Sequence, residues 1–449
     1  MADNTANRSI LQRIRRAILR PSVFGTLLLV GLWNFSVSSG LLTHSLEGNG
    51  AVRETLREIR NVNLHLQLRF YHLLTRVRPI GLQNDHVTLV YIDDATHWNR
   101  LGGSLPTNRA FLAKLIRNLS EPATRAMAIG LDVQFLAPRD FPEGTDDVSR
   151  AADNAELLKA IHDATAQGVP VILGGVYVER GRERLSLPNL FTEAQLTQPG
   201  MNDCNKVRCP AFGFINGPED KRLIPLTSEL KTESGAQVSM DSFAIALAKA
   251  IKGPEDTNFS ASEFTSHGDA IFGSFLPEKQ FRSVSALNVE LMDPGALRKC
   301  EKRVVLIGGN WHELQGYGEP IDSHLSPAGT MSGVAFHANF IESLLQHQFA
   351  SEPPVWVGLL IDFIAGLVIY VFYEFATGWH RVLVLALEFF LPIAGAYLFL
   401  VTANLYLDFF LPIELYFLHI LYEIMADYVG LKWRRRAQHV PGESINHAI

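Results

Sequence analysis

The sequence predicts an α/β protein with a mostly parallel sheet and helices on both faces, joined to an α-helical membrane region of four spans. Three observations carry this prediction: an uncharged apolar segment near the N-terminus, an alternation of strand and helix patterns in the middle, and a long apolar stretch near the C-terminus. The chain of 449 residues carries a net charge of −6, with +4 in residues 1–21 and +3 in residues 430–449, which leaves −13 between them. Basic ends on an acidic middle favour a membrane protein and exclude a nucleic-acid-coating chain.

Residues 23–42 form the first predicted span. They are uncharged and mostly apolar, and twenty residues of helix cover about 30 Å, the thickness of the hydrocarbon layer. A cleaved signal peptide is the alternative, because the preceding segment is rich in arginine. No A-x-A cleavage site follows, and the segment is longer than a signal peptide's apolar core, so we favour a membrane span.

Three further spans are predicted near 355–375, 382–402 and 405–427, separated by polar breaks. Both termini and the loop at 378–381 hold Lys or Arg, which places all three on the cytoplasmic side. The predicted organisation is a cytoplasmic basic N-terminus (1–22), a span (23–42), a stalk helix (43–80), an exterior domain (81–353), a three-helix membrane module (354–429) and a cytoplasmic basic tail (430–449).

The stalk prediction comes from apolar residues that recur every three or four positions between Val52 and Val77. Such an amphipathic helix either covers the adjoining domain or pairs with a second copy in a homo-oligomer.

The exterior region alternates buried-strand and helix patterns. We predict strands at 86–94, 126–135, 169–176 and 302–310, and helices at 107–119, 149–165, 241–251 and 332–347. Residues 177–300 contain more turn residues, and we expect an insert there with its own short strands, packed on the same core.

The order of these landmarks resembles the second class of CHASE sensor domain, a sensory extracellular domain of bacteria. The resemblance rests on VTLVYIDD, AIGLDVQF, GFINGPEDKR, DSFAIALAKA, RVVLIG and MSGVAFHANFIESLL, which occur in the family's order between about 70 and 350. It implies a bacterial inner-membrane receptor with a periplasmic domain and a fused cytoplasmic output domain. This chain departs from the pattern, since only twenty residues follow Val429. We therefore expect any output to come from a separate protein.

Ligands of open α/β sheets bind beyond the carboxyl ends of the strands. The residues expected there are Asp93, Asp94, Asp132, Gly174, Gly175, Gly308, Gly309, Asp322 and His324. Asp and Gly are also ordinary turn residues, so a structural role is the alternative. No phosphate-binding glycine motif occurs, and we expect no cofactor.

Metal binding and catalysis have weaker support. His312, Asp322, His324 and His337 match no metal-ligand spacing, and we interpret His337 as a satisfied core or surface histidine. No GxSxG motif supports a hydrolase, so we expect no enzyme. Cys204 and Cys209 enclose a short loop and are expected to form a disulfide in an oxidising compartment, with two inert thiols as the alternative.

Carboxylates in the predicted spans are costly in lipid and should face protein or be protonated. We expect Asp362, Glu388, Glu414 and His419 to couple the spans to one another or to a partner. The function expected is a sensor that binds an envelope ligand or partner and relays the signal to a separate output protein. The alternative is a structural scaffold subunit. The cluster from Lys432 to Arg436 contacts either the output protein or anionic lipid headgroups.

Overall fold

The computed structural model describes residues 64–71, 73, 82–103, 107–135, 147–180, 183–187, 189–196, 211–217, 221–232, 235–252, 270–314, 317–351, 357, 360, 364, 380–403 and 405–407. The chain divides into two compact units. One comprises residues 68–352 and 400–405, and the other comprises residues 1–67, 353–399 and 406–449. The first unit holds the α/β fold and the candidate site.

The strands are short, as expected of a compact α/β domain. In chain order they are β1 (Val87–Asp93), β2 (Ala128–Asp132), β3 (Val171–Gly175), β4 (Tyr177–Arg180), β5 (Glu183–Ser186), β6 (Ala211–Phe214), β7 (Leu223–Pro225), β8 (Thr227–Lys231), β9 (Gln237–Asp241), β10 (Ala270–Gly273), β11 (Arg282–Ser285), β12 (Val304–Asn310), β13 (His312–Leu314), β14 (Tyr317–Pro320), β15 (Ser323–Ser326), β16 (Gly329–Ser332) and β17 (Phe349–Ala350).

The helices vary in length from one turn to more than six. They are α1 (Arg109–Ser120), α2 (Asp147–Ala166), α3 (Glu193–Leu196), α4 (Phe243–Lys252), α5 (Ala286–Glu290), α6 (Pro294–Cys300), α7 (Gly333–Gln346) and α8 (His380–Ala403). A π-helical turn at Ala95–Arg100 and a 3₁₀ turn at Glu278–Gln280 complete the described elements.

The main sheet has six strands in the order β11-β1-β12-β2-β3-β6, and every neighbouring pair is parallel. Helices α1, α2, α5 and α6 cover one face with apolar side chains such as Leu115 and Ile161. Helices α4 and α7 cover the other face with residues such as Leu247 and Phe340. The predicted parallel sheet covered on both faces is therefore confirmed, because central strands buried on both sides need the continuous Val, Ile and Leu runs seen in the sequence.

The predicted insert is confirmed in part. Strands β4, β5, β8 and β9 form a separate four-stranded sheet, while β10 pairs with β7 on one side and with β17 on the other. The prediction missed, however, that this region also supplies both edge strands of the main sheet, β6 and β11. These are four residues each, and Val284 is the only apolar residue of β11.

The first predicted span lies outside the described residues, and so does nearly all of the last predicted span. Residues 64–71 and 73 of the predicted stalk are helical, and Leu68 and Tyr71 are buried. Helix α8 coincides with the predicted segment 382–402. Within the described ranges, however, no helix combines the length and apolarity needed to cross a bilayer.

Candidate functional site at the carboxyl edge of the sheet

The parallel sheet brings the predicted site residues to one edge. Gly308 of β12 lies opposite Tyr91 of β1 on one side and opposite Asp132 of β2 on the other, so three strand ends meet there. Asp93 has a structural role, because its carboxylate accepts hydrogen bonds from the backbone N–H and the hydroxyl of Thr96 at 2.9 and 2.7 Å. This contact orders the turn after β1.

Asp94 belongs to a second group of side chains at this edge. Its carboxylate accepts a hydrogen bond from the backbone N–H of His312 at 2.8 Å and lies 2.7 Å from Nδ1 of the same residue. Trp98 donates to the carbonyl of His312 at 3.2 Å, and His97 stacks on Trp311 at 4.4 Å between ring centroids. Desolvation opposes the effect, but hydrogen bonds from His312 lower the pKa of Asp94. Asp94 is thus paired with His312, whose carbonyl in turn accepts from Trp98, which favours a structural role for Asp94.

The acid–base cluster comprises Asp132, Lys221, Asp322, His324 and His337. Nε2 of His324 lies 2.9 Å from Oδ1 of Asp322, and Nε2 of His337 lies 4.0 Å from Oδ1 of Asp132. Only 7% of each side chain is exposed in the second pair. The structure thus joins Asp322 and His324 to Asp132, as predicted from strand ends, and adds Lys221 and His337.

Several polar groups of the acid–base cluster lack hydrogen-bond partners among the described residues. The carboxyl of Asp132 has only the 4.0 Å approach to His337, which is too long for a hydrogen bond. Nδ1 of His337 is buried with no hydrogen-bond partner in the same ranges. The backbone of Ile215 also acts on the His337 ring as a hydrogen-bond partner and raises its pKa, against desolvation. Our interpretation of His337 as a satisfied core or surface histidine therefore stays a prediction.

Burial sets the protonation states of the central pair. Desolvation, helped by the negative charge of Asp322, raises the pKa of Asp132 to about 8. Desolvation lowers the pKa of His337 to about 4, although the Asp322 carboxylate acts in the opposite direction. Near neutral pH both groups are predominantly uncharged. The pair is therefore a neutral acid beside a neutral base.

The other charges of the cluster partly compensate one another. The hydrogen bond from His324 lowers the pKa of Asp322, against the effect of desolvation. Burial lowers the pKa of Lys221, whose Nζ lies 5.5 Å from the centre of the Phe336 ring, while Asp322 opposes that shift. A carboxylate and an ammonium group thus stay close to the neutral pair.

Two glycines let helix α7 approach the site closely. A Cβ at Gly308 would lie 2.7 Å from Cβ of Val334, and a Cβ at Gly333 would overlap the carboxylate of Asp322. A real Cβ does not approach another Cβ so closely, so glycine is needed at position 308, whereas a side chain at position 333 would displace the Asp322 carboxylate. The N-terminus of α7 therefore lies directly beside the Asp322 carboxylate, where the helix dipole favours a negative charge.

Glu278 hydrogen-bonds to two separate elements of the fold, a role that the sequence did not predict. Its carboxylate accepts hydrogen bonds from the Tyr91 hydroxyl at 2.6 Å, from the Ser332 hydroxyl at 2.8 Å and from the Ser332 backbone N–H at 3.0 Å. It thereby joins the end of β1 to the start of α7. No local pattern indicated this role, because Glu278 lies in a short turn far along the chain from Tyr91.

The far end of α7 holds a second missed residue. Glu342 is fully buried, and its carboxylate accepts hydrogen bonds from the backbone N–H groups of His86 and Val87 at 2.8 and 2.7 Å. Nδ1 of His86 lies 3.0 Å from the other oxygen. Helix α7 therefore contacts the candidate site with its first turns and the beginning of β1 with its last turns.

The remaining predicted residues are three glycines, two cysteines and four residues of the predicted spans. Gly174 and Gly175 end β3, and Gly309 packs against Trp311. Glu388 lies in α8, while Asp362, Glu414, His419, Cys204 and Cys209 lie outside the described residues. In the described part of the chain, no group of three or more His, Cys, Asp or Glu side chains is arranged to hold a metal ion.

A parallel sheet with polar groups gathered at its carboxyl edge is the architecture of ligand-binding α/β domains. Comparison with known families is more specific: the CHASE2 domain, a sensory extracellular domain, matches residues 52–373. Because this match covers most of the chain, the protein belongs to the CHASE2 family, which confirms the resemblance noted from the sequence. No curated protein and no solved structure matches the chain.

Proposed function

We propose that this protein is an extracytoplasmic sensor that binds its ligand at the acid–base cluster and relays the event, through α7 and the predicted spans, to a separate output protein. Membership of a family of sensory extracellular domains supports the sensory role. The finer parts of the proposal, the ligand site and the relay, are supported by the contacts of α7.

The observation that carries the ligand site is that the nearly buried carboxyl of Asp132 and Nδ1 of the adjacent His337 have no hydrogen-bond partner within the described ranges. Buried polar groups in proteins are nearly always hydrogen-bonded, because desolvation without a partner costs about 1–3 kcal/mol. Two neighbouring groups without hydrogen bonds among the described residues therefore favour a site that is completed by a ligand or by water.

The contacts of α7 support the relay. A helix of 14 residues is rigid over roughly 21 Å, so a displacement at Gly333 would be felt at Glu342. Glu342 holds the first residues of β1, and the chain reaches β1 from the predicted stalk. Helix α7 is followed by β17, after which the chain continues toward the predicted membrane module. A ligand can drive this relay only if it binds the two arrangements of α7 with different affinity.

The four spans, the periplasmic location and the separate output protein rest on the sequence. Their direct test is photocrosslinking of the full chain in intact membranes, with a photoreactive residue in place of Arg435 and identification of the captured proteins. We expect a cytoplasmic or membrane protein whose activity is regulated. Capture of envelope structural proteins alone, in fixed stoichiometry and insensitive to ligands, would support the scaffold alternative and overturn the sensor.

Glu414→Leu is the sharper variant, because a carboxyl near mid-bilayer should contact the partner or another span. We expect it to abolish recovery of the partner from detergent extracts. Glu423→Leu, nearer the end of the same predicted span, is the matched control and should leave recovery unchanged. Equal recovery with both variants would contradict a coupling role for Glu414.

A further inference from the structure

The gap between Asp132 and His337 has the dimensions of a one-atom bridge. Oδ1 of Asp132 and Nε2 of His337 are 4.0 Å apart. A single nitrogen placed about 2.8–2.9 Å from both atoms, a usual hydrogen-bond length, spans such a gap. Each side chain is 7% exposed, so the gap lies between two nearly buried polar groups.

The charges around the gap favour a cation. The negative charge of Asp322 disfavours the ionised form of Asp132, and Lys221 interacts with Asp322. With both carboxylates ionised, the two negative charges of Asp132 and Asp322 outnumber the one positive charge of Lys221. A ligand with one positive charge would neutralise it and would offset the desolvation that keeps Asp132 protonated.

The hydrogen-bond acceptors on the two sides of the gap favour a ligand that carries N–H donors. A neutral imidazole has one nitrogen that accepts a hydrogen bond, and an ionised carboxylate only accepts. A protonated primary amine has three N–H donors and can donate to both groups at once. A quaternary ammonium carries the same charge without any donor. The rings of Phe243 and Phe336 lie 5.4 and 6.4 Å from the His337 ring, and aromatic faces of this kind also attract cations.

We propose that the acid–base cluster binds a small molecule bearing a protonated primary amine, held between the carboxylate of Asp132 and the imidazole of His337. This inference rests on the proposed function, since it names the ligand class of the same site. Binding transfers one proton from the carboxyl of Asp132 to solvent near neutral pH, because the bound amine requires the ionised carboxylate. The charged groups that face Asp132 and its partner are Asp322, His324 and Lys221.

The test is thermal unfolding of the purified full chain in detergent with four probes: butylamine, putrescine, choline and butyrate. We expect both amines to raise the unfolding temperature, choline to act weakly and butyrate not at all. Because binding needs ionised Asp132, whose pKa is about 8, the affinity for the amines should rise up to tenfold per pH unit between about pH 6 and pH 8.

Variants separate this site from general effects of amines. Asp132→Asn keeps the shape of the side chain and removes its charge, so it should weaken amine binding at least ~10-fold and abolish the pH dependence. Asp94→Asn alters a carboxylate–histidine pair at the same sheet edge and should leave amine binding unchanged. Amines that act no better than butyrate, or that act equally on Asp132→Asn, would overturn the ligand class and leave water as the bridge.

Failure of this inference is distinguishable from failure of the proposed function. A chain that ignores amines but still captures a regulated output protein in membranes would retain the sensory role with another ligand. A chain that binds amines but captures no such protein would retain the ligand site and lose the relay.

Discussion

The backbone N–H of Val87 donates a 2.7 Å hydrogen bond to the carboxylate of Glu342, which ties the first residue of β1 to the last turns of α7. The same oxygen accepts from the N–H of His86. A fully buried glutamate is costly unless it is paired or hydrogen-bonded, and here it stabilises the beginning of an inner strand whose N–H groups would otherwise lack acceptors.

Glu342→Gln keeps one acceptor oxygen and loses the charge, so we expect a loss of about 1–3 kcal/mol in the free energy of unfolding, measured by urea denaturation. Glu342→Ala should cost more, because both N–H groups then lose their acceptor. Glu183→Gln, which removes an exposed ion pair with Lys231, is the control and should cost far less. Equal losses for Glu342→Gln and Glu183→Gln would contradict this role.

Asp132 should make the protein less stable as the pH rises. Its pKa is raised from the ordinary value near 3.8 to about 8 in the folded state, so between these values the folded state holds a proton that the unfolded state has released. The contribution of Asp132 to the free energy of unfolding should therefore fall with rising pH in this window, by up to about 1.4 kcal/mol per pH unit. Below about pH 6.5 it is opposed by His337, whose pKa is lowered to about 4. Asp132→Asn should therefore flatten the slope in denaturation measured from about pH 6.5 to pH 8; an unchanged slope would show that another group titrates.

Glu290 should have the opposite effect at lower pH. Arg100 donates two hydrogen bonds to its carboxylate, at 2.6 and 2.8 Å, and these contacts lower the pKa of Glu290. The stabilisation is present above the ordinary pKa of a glutamate and is lost as the pH falls through the lowered value. Glu290→Gln should reduce the acid sensitivity of the unfolding midpoint. Glu156→Gln, which removes an exposed ion pair with Arg117, should change it little.

Gly308 of β12 and Gly175 of β3 provide a matched pair of substitutions near the carboxyl ends of two strands of the main sheet. A Cβ at Gly308 would lie 2.7 Å from Cβ of Val334, whereas the nearest atom to a Cβ at Gly175 is Sδ of Met240 at 3.6 Å. Gly308→Ala should therefore displace α7 and cost about 1–3 kcal/mol of stability, and it should also impair ligand binding at the acid–base cluster. Gly175→Ala should be nearly neutral; comparable losses in both would show that α7 is not held against β12.

The location of the domain can be tested with thiol labelling of intact cells. A membrane-impermeant maleimide should react with a cysteine placed at Gly200 in a chain where Cys204 and Cys209 are replaced by Ser. Cys300 serves as an internal control, because it is buried and burial raises the pKa of its thiol to about 12, so it should stay unlabelled until the protein unfolds. Labelling at position 200 only after the inner membrane is opened would contradict the periplasmic location.

The parts of the fold that sequence predicted are those with a local pattern. The runs at β1 and β12 are apolar on both faces, and α1 and α7 have apolar residues at helical spacing, so their positions were predicted to within about two residues. Strands β6 and β11 were missed because four residues at a sheet edge have little apolar periodicity.

The site was predicted less completely, for a related reason. Asp132 and Asp322 were recognised because acidic residues at strand ends and in the adjoining loops are a local feature. Lys221, Glu278 and Glu342 reach their partners across separations that no local pattern encodes, and Glu342 in particular was hidden in an otherwise apolar helix. The sheet topology decides which of these side chains meet.

The position of β12 between β1 and β2 has a consequence for biosynthesis. The ribosome synthesises β1 and β2 early. The strand that lies between them in the sheet, β12, begins more than 170 residues after β2, and β11 is synthesised shortly before β12. The main sheet therefore cannot form until β11 and β12 have been synthesised. Sheets that depend on contacts between residues far apart in the sequence fold slowly. A ribosome stalled before residue 304 would leave two apolar strands with exposed edges, so the nascent domain is a natural client for a chaperone that protects unpaired strands.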